Sequence, residues 1–199
     1  MRPVSTPPRH GLLLAAFPPE LAGLDAAPPP GWEAAFTGVG AIAAAIATAR
    51  LVAERRPARV LFVGTCGVYD GRLAPGDLLS ASEAIATSLE EVAGRAYRPS
   101  LEQARWLAGW PLPFPAHAVA VPPAITRTEE GARALAAVAA VEHLELSGVF
   151  AAFSAADVPA AAALAVANRV GPRAHEEWSA NHVRVSEVLL AALRGRGVL

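Results

Sequence analysis

Three polar side chains stand where short apolar runs of the sequence end. Glu20 follows "GLLLAAF" and two prolines, Thr65 follows "ARVLFVG" and Asn168 follows "AAAALAVA". A carboxylate can accept a proton from water, and hydroxyl and amide groups can both donate and accept hydrogen bonds. Because open α/β sheets bind small molecules beyond the carboxyl ends of their strands, these residues predict a binding site at one edge of a sheet. Taken singly, each also fits a plainer interpretation, as an exposed loop residue or part of a tight turn.

A second carboxylate, Glu145, lies beside Leu144 at the start of an apolar helical stretch. Taken alone, it fits a first-turn glutamate that interacts with the helix dipole. The glycine-bearing loop at residues 64–79 has neither a Walker motif nor a dinucleotide fingerprint. Cys66 has no histidine placed to activate it in a recognisable pattern, and no cluster of metal-ligating residues has zinc spacing. The sequence therefore predicts no metal site and no cofactor.

Composition and charge narrow the class of protein. The 199 residues are 53% hydrophobic and carry a net charge of −1. Their 17 basic residues are scattered, which argues against a nucleic-acid partner. A single cysteine excludes an internal disulfide framework and fits a reducing cytoplasm. The N-terminus superficially resembles a signal peptide, but its apolar run is short and meets Pro18 and Pro19 without a cleavage site. Since no long uncharged apolar run exists, we expect no membrane span and a cytoplasmic location.

Short apolar runs alternate with helical stretches along the chain. Strands are predicted over residues 11–17, 32–40, 58–67, 76–86, 117–126 and 158–168, and helices over 41–56, 128–141, 144–157 and 175–197. Residues 95–116 are predicted to mix a short helix with a Pro-rich connection. Because the strands are apolar on both faces and alternate with helices, we expect an α/β three-layer fold. We expect a single domain over residues 1–199, with residues 1–9 flexible.

Five segments that span almost the whole chain resemble the nucleoside phosphorylase/nucleosidase superfamily, in particular its hydrolase branch. They are "LLLAAFPPEL", "FTGVGAIAAAIA", "VGTCGVYDGRLAPGDLL", "VEHLELSGVF" and "VPAAAALAVANRVG". The third is similar to the family loop written G-[ST]-A-G, and the fourth to its V-E-x-M-E segment, with Leu144 where methionine is usual. Asn168 follows Glu145 by 23 positions, as expected for the family. The resemblance implies a three-layer sandwich with a central twisted mixed β-sheet flanked by helices.

The resemblance also implies roles for four of the polar residues. Glu20 would activate a water molecule, and Thr65 would help to hold it. Glu145 would hold the 2′ and 3′ hydroxyls of a ribose. Asn168 would take the position that recognises a purine base, where the adenine-directed members of the family have aspartate. An amide cannot supply the aspartate's proton, but it can donate to a carbonyl O6 and accept from a protonated ring nitrogen. The chain thus looks most like futalosine hydrolase, which releases hypoxanthine.

Three apolar residues complete the predicted site: Leu144, Ile125 and Phe150 are expected to contact the base or the sugar. The resemblance implies a small-molecule purine nucleoside as the partner, and a homodimer or larger homo-oligomer. Two alternatives stay open. One is a phosphorylase that uses inorganic phosphate, although "AAFPPEL" lacks the arginine of the phosphorylase loop. The other is a non-catalytic nucleoside-binding protein on the same fold.

Overall fold

The computed structural model of the chain describes residues 10–199, and the predicted flexibility of residues 1–9 lies outside that range. Within it the strands are β1 (Gly11–Ala15), β2 (Trp32–Phe36), β3 (Arg59–Val68), β4 (Leu78–Ala86), β5 (Arg105–Leu107), β6 (Ala116–Val121), β7 (Val141–Glu142) and β8 (Ala160–Arg169). The helices are α1 (Ala41–Arg55), α2 (Leu89–Val92), α3 (Glu129–Ala136), α4 (Leu146–Ala155) and α5 (Ala174–Gly195), with a 3-10 helix at Pro18–Leu21.

All of these strands join one mixed sheet. Strand β1 pairs in parallel with β2 and β3, β3 pairs in parallel with β8, and β8 pairs antiparallel with β4. Strand β4 continues in parallel to β6 and β6 to β7, and β7 returns antiparallel to β3. Five strands therefore form a closed ring, with β1 and β2 extending it on one side and β5 on the other. This arrangement confirms the predicted α/β fold with a central mixed sheet.

Helices cover both faces of the sheet, because its central strands are apolar on both sides. On one face, α1 and α4 pack over a core that contains Phe62 and Phe153. Gly148 of α4 lies so close to α1 that a Cβ there would stand 2.0 Å from the carbonyl oxygen of Ala41. On the other face, α5 packs Leu189 and its apolar neighbours against β1, β3 and β8. The two cores fix the strand ends where the predicted site residues lie.

Two parts of the sequence-based prediction were wrong. Residues 95–116 contain no helix; they hold the short strand β5, which pairs antiparallel with the edge of β4. The helix predicted to reach residue 141 ends at Ala136, because Val141 and Glu142 pair with β3 and β6. In the described part of the chain, no helix combines the length and the apolar character that crossing a bilayer requires.

Candidate active site

A cavity of about 410 Å³ opens beside the carboxyl ends of β1, β3 and β8. Six of the residues singled out in the sequence line it: Glu20, Thr65, Ile125, Leu144, Glu145 and Asn168. They come from segments that are far apart in the chain, and the sheet brings them together because β3 lies between β1 and β8. A volume of this size suits a small organic ligand.

Glu20 lies on the 3-10 helix directly after β1 and is only 3% exposed. Prolines at 18 and 19 suit the first positions of such a turn, since their fixed φ angle matches it and neither needs an amide partner there. Oε2 of Glu20 accepts a hydrogen bond from the Ala16 backbone amide at 3.1 Å, and Oε1 accepts from the Thr65 amide at 2.8 Å. Burial raises the pKa of Glu20 from 4.5 to about 7, against the lowering effect of its Thr65 bonds and with a smaller contribution from the charge of Glu145. A carboxyl group with this pKa can exchange protons near neutral pH.

The Thr65 side chain links Glu20 to the last helix. Its hydroxyl lies 2.9 Å from Oε1 of Glu20 and 3.1 Å from the indole Nε1 of Trp178 on α5. An indole nitrogen can only donate, so the Thr65 oxygen accepts from Trp178 and its proton goes to Glu20. Trp178 was not predicted from the sequence to be a site residue. The available signal was an aromatic residue ten positions after Asn168, in the first turns of a helix that follows the strand.

Glu145 immediately precedes α4 and is 5% exposed. Its Oε1 accepts a hydrogen bond from the backbone amide of Gly40 at 2.7 Å. Gly40 has φ of +91°, a backbone conformation that glycine adopts without strain, and this turn aims its N–H at the carboxylate. The segment Gly38-Val39-Gly40, which directly precedes α1, therefore anchors Glu145 in the cavity.

His143 is a cavity residue to which the sequence analysis assigned no role. It is 4% exposed, and its Nδ1 accepts a hydrogen bond from the Glu145 backbone amide at 3.1 Å. The same nitrogen lies 3.2 Å from Oε2 of Glu145. Burial lowers the pKa of His143, while the Glu145 carboxylate acts in the opposite direction. The position of His143, two residues before a site glutamate, was the sequence signal that could have identified it.

Asn168 lies near the end of β8 and is 8% exposed. Its Nδ2 donates to the backbone carbonyl of Arg169 at 3.0 Å. The pairing of β3 with β8 shifts by one residue between Cys66 and Gly67, which changes the register just where Asn168 occurs. A Cβ on Gly67 would stand 3.0 Å from Nδ2 of Asn168, so the glycine makes room for the amide.

Apolar residues border the polar groups, but one of the three predicted from the sequence does not line the cavity. Ile125 and Leu144 do, and Ile125 is 53% exposed at the rim. Phe150 belongs to α4 and is 2% exposed. It lies in the core cluster that contains Ala44 of α1 and Phe62 of β3. The first turns of α4 are buried on nearly every side, so the sequence could not show which residues face the ligand.

Aromatic rings form a further wall of the cavity. Phe17, His175 and Trp178 line it, with ring centroids 5.8 Å apart for Phe17 and Trp178 and 6.0 Å apart for His175 and Trp178. His182 stacks on Trp178 at 4.2 Å from the outside. Such rings offer a large apolar surface, and their side chains have only two rotatable χ angles. These properties suit a flat ligand group.

Glu142 is a third carboxylate of the cavity wall, and its bonds are made within the protein. It accepts hydrogen bonds from the Tyr69 hydroxyl at 3.1 Å and from the Thr126 backbone amide at 3.1 Å. Burial raises its pKa. Because Thr126 follows Ile125, Glu142 fixes the loop that carries this rim residue. Glu142 therefore supports the wall of the cavity.

Acidic residues dominate the charge of the cavity. Among residues 10–199, the cavity is lined by three glutamates, two histidines and no arginine. Over the same range, no group of three or more His, Cys, Asp or Glu side chains is arranged to hold a metal ion. The site thus offers a buried carboxyl group, a second fixed carboxylate and an amide around an apolar space.

Comparisons with known proteins agree with this architecture. Residues 34–146 match the sequence model described as the phosphorylase superfamily. No curated protein sequence matches the chain. A futalosine hydrolase mutant from Helicobacter pylori strain 26695 has 15% identity and a TM-score of 0.81, over 94% of this chain and 97% of its own. The 5′-methylthioadenosine/S-adenosylhomocysteine nucleosidase of the same organism has 14% identity and a TM-score of 0.82 over 94% and 97%. The corresponding nucleosidase from Colwellia psychrerythraea, in complex with adenine, has 17% identity and a TM-score of 0.77 over 94% and 95%. At these identities the structural similarity shows a shared fold.

Proposed function

The chain belongs to the phosphorylase superfamily, and from this we propose that it is an N-ribosyl hydrolase that cleaves a 6-oxopurine nucleoside into hypoxanthine and the free sugar. The observation that carries the proposal is Glu20, a buried carboxyl group with a pKa of about 7, in a cavity that also presents Glu145 and Asn168. The three side chains supply the groups that hydrolysis requires: a base for water, a partner for the sugar and a partner for the leaving base.

The first step is the activation of water by Glu20. The donors at Ala16 and Thr65 hold its carboxylate in one orientation, in which Oε1 accepts two hydrogen bonds and Oε2 accepts one and can accept another from water. In its ionised form Glu20 accepts a proton from the water that attacks the anomeric carbon. A positioned base of this kind contributes about 10² to 10⁴-fold to the rate.

Glu145 and Asn168 act on the two halves of the substrate as the bond between them breaks. Glu145 accepts hydrogen bonds from the 2′ and 3′ hydroxyls, and its negative charge stabilises the oxocarbenium-like sugar. Asn168 donates to O6 of the departing base and accepts from a protonated ring nitrogen. The bond from Nδ2 of Asn168 to the Arg169 carbonyl fixes which end of the amide donates, so the amino group of a 6-amino purine would meet a donor and leave buried groups unpaired.

Hydrolysis is favoured over phosphorolysis by the charge of the cavity. Its described lining has three glutamates and no arginine, so inorganic phosphate would meet no guanidinium group there and would lie near the Glu145 carboxylate. The experiment is to measure hypoxanthine release from inosine with and without phosphate and to identify the sugar product. Release that needs no phosphate and yields free ribose supports a hydrolase. A requirement for phosphate, with ribose 1-phosphate as product, would support the phosphorylase alternative.

We further propose futalosine as the preferred substrate, which would place the reaction in menaquinone biosynthesis and in the cytoplasm. The support is Asn168 as the base-contacting residue and the apolar aromatic wall of Phe17 and Trp178, which could cover a large substituent on the sugar. The test compares kcat/KM for futalosine, inosine and methylthioadenosine. A preference for methylthioadenosine would contradict this assignment.

We also propose that the chain forms a homodimer or a larger homo-oligomer. Val39, Ile42 and Ile46 are 63%, 80% and 66% exposed at the start of α1. Ile42 and Ile46 lie one turn apart on the same face of the helix, and Val39 also lines the cavity. A partner on this face would cover apolar surface and close one side of the site. Light scattering coupled to size-exclusion chromatography checks the mass, and Ile42→Glu should shift it towards the monomer.

A further inference from the structure

His143 makes two contacts to Glu145 through a single nitrogen, and the two contacts need opposite proton states. The Glu145 backbone amide donates to Nδ1 at 3.1 Å, which requires a lone pair on that nitrogen. The Glu145 oxygen Oε2, at 3.2 Å, could be paired only if Nδ1 carried a proton. Only one of these bonds can exist at a time. The protein must therefore select one protonation state of His143.

Two observations favour the neutral ring with its proton on Nε2, the bond that Nδ1 accepts and the burial of the ring. The ring is almost completely buried, and burial lowers its pKa, so the neutral form is stabilised. Its plane is held edge-on against the Phe62 ring, at 5.3 Å and 87°. The Nε2 side faces the backbone of Gly64, where an added Cβ would stand 3.0 Å from Nε2 and 3.4 Å from Oε1 of Glu20. The backbone amide of His143 is fixed by the carbonyl of Ala120 at 3.0 Å.

The neutral ring has a consequence for the two oxygens of Glu145. Oε1 is satisfied by the Gly40 amide at 2.7 Å. Oε2 faces a nitrogen lone pair and receives no hydrogen bond from residues 10–199. Glu145 lines the cavity, so a donor that enters the cavity can reach this oxygen. The arrangement leaves Oε2 available for a hydroxyl group of the ligand.

From this we propose that His143 is a positioning residue, which fixes Glu145 through its backbone amide and keeps Oε2 free for the ribose hydroxyls, so that the site selects ribonucleosides over 2′-deoxyribonucleosides. This inference rests on the proposed role of Glu145 in sugar binding. His143 itself acts through Glu145 and needs no contact with the reacting atoms.

The test is the ratio of kcat/KM for inosine to kcat/KM for 2′-deoxyinosine. The variant His143→Phe keeps a planar ring but has no acceptor, and in it this ratio should fall at least about 10-fold. The 2′-hydroxyl then loses its hydrogen bond to the charged Glu145, and such a bond contributes a factor of that size or more. His143→Asn should restore most of it, since an asparagine oxygen can accept from the backbone amide two residues ahead. In a Glu145→Gln background, His143→Phe should change the ratio no further. Equal loss for both nucleosides, or an asparagine variant as impaired as the phenylalanine variant, would overturn the inference.

A control and two measurements that need no turnover separate this inference from the proposed function. Tyr69→Phe removes a neighbouring buried hydrogen bond, to Glu142, and should leave the ratio within about twofold. Calorimetric binding of inosine and 2′-deoxyinosine in a Glu20→Gln background, which removes the proposed base, gives the same selectivity without chemistry. Selective binding that His143→Phe abolishes, in a protein without turnover, would reject the hydrolase and support the inference. In ¹⁵N-histidine spectra, protonation of His143 at Nδ1 instead of Nε2 would overturn it in either case.

Discussion

The hydroxyl of Thr65 donates a hydrogen bond to Oε1 of Glu20 across 2.9 Å, and its direction is set by Trp178, which can only donate to the same hydroxyl. This relationship joins three elements that are distant in sequence, the 3-10 helix after β1, strand β3 and helix α5. It holds the buried carboxyl group in one orientation and favours its ionised form. Without it, burial would raise the pKa of Glu20 further.

The pH dependence of the reaction should change when the hydrogen bond from Thr65 to Glu20 is removed. In the proposed mechanism Glu20 acts in its ionised form, so kcat/KM of the wild type should rise with pH through an inflection near its pKa of about 7. Thr65→Val removes the donor, and the inflection should move to higher pH. Thr65→Ser keeps the hydroxyl and should leave the inflection close to that of the wild type. An inflection at the same pH in all three proteins would show that Glu20 does not control the rate.

The free energy of unfolding should also depend on pH through the raised pKa of Glu20. Between pH 4.5 and about 7, native Glu20 keeps a proton that the unfolded chain has lost. The free energy of unfolding of the wild type therefore falls as the pH rises through this window. Glu20→Gln cannot ionise, so its stability relative to the wild type should increase by up to about 3 kcal/mol across the window and then stay level. Urea unfolding at a series of pH values checks this, and a constant difference would contradict the raised pKa.

Base selectivity should depend on Asn168. Asn168→Asp replaces an amide that suits a 6-oxopurine with a carboxyl group that can protonate a 6-aminopurine. The ratio of adenosine to inosine turnover should rise about 10-fold to 100-fold. Chromatographic measurement of hypoxanthine and adenine release gives both rates. An unchanged ratio would show that Asn168 does not contact the base.

The position of the Asn168 amide depends on Gly67. In Gly67→Ala the new methyl group would stand 3.0 Å from Nδ2 of Asn168 and 2.8 Å from a methyl group of Val170. We expect KM for the nucleoside to rise about 10-fold or more as the amide is displaced. Gly71→Ala is the matched control, because nothing lies within 4 Å of a Cβ there. Equal KM values in the two variants would contradict the packing of Asn168 against Gly67.

The strand ends of the site could be predicted from sequence because each short apolar run is unbroken and is followed by a polar residue. The runs before Glu20, Thr65 and Asn168 became β1, β3 and β8, and parallel pairing put their ends side by side. Periodicity could not reveal β7, whose two residues are a strand only because β3 and β6 pair with them. The short strand β5 depends in the same way on the edge of β4.

The sequence also could not predict which side chains face the cavity. Phe150 and Leu144 are both apolar residues near Glu145, but only Leu144 faces the cavity, and the fully buried start of α4 gives no periodic pattern to separate them. His143 had no role in the sequence analysis because its function depends on the orientation of one ring nitrogen towards the backbone of Glu145. Such contacts follow from tertiary packing.

The most direct test of the account measures hypoxanthine release from futalosine and inosine in phosphate-free buffer, for the wild type and Glu20→Gln. We expect release by the wild type, a loss of about 10² to 10⁴-fold in Glu20→Gln, and nucleoside binding retained by the variant. No release from either nucleoside by the wild type, or equal release by the two proteins, would contradict the role of Glu20. In the first case, binding without turnover would leave a nucleoside-binding protein on a nucleosidase fold.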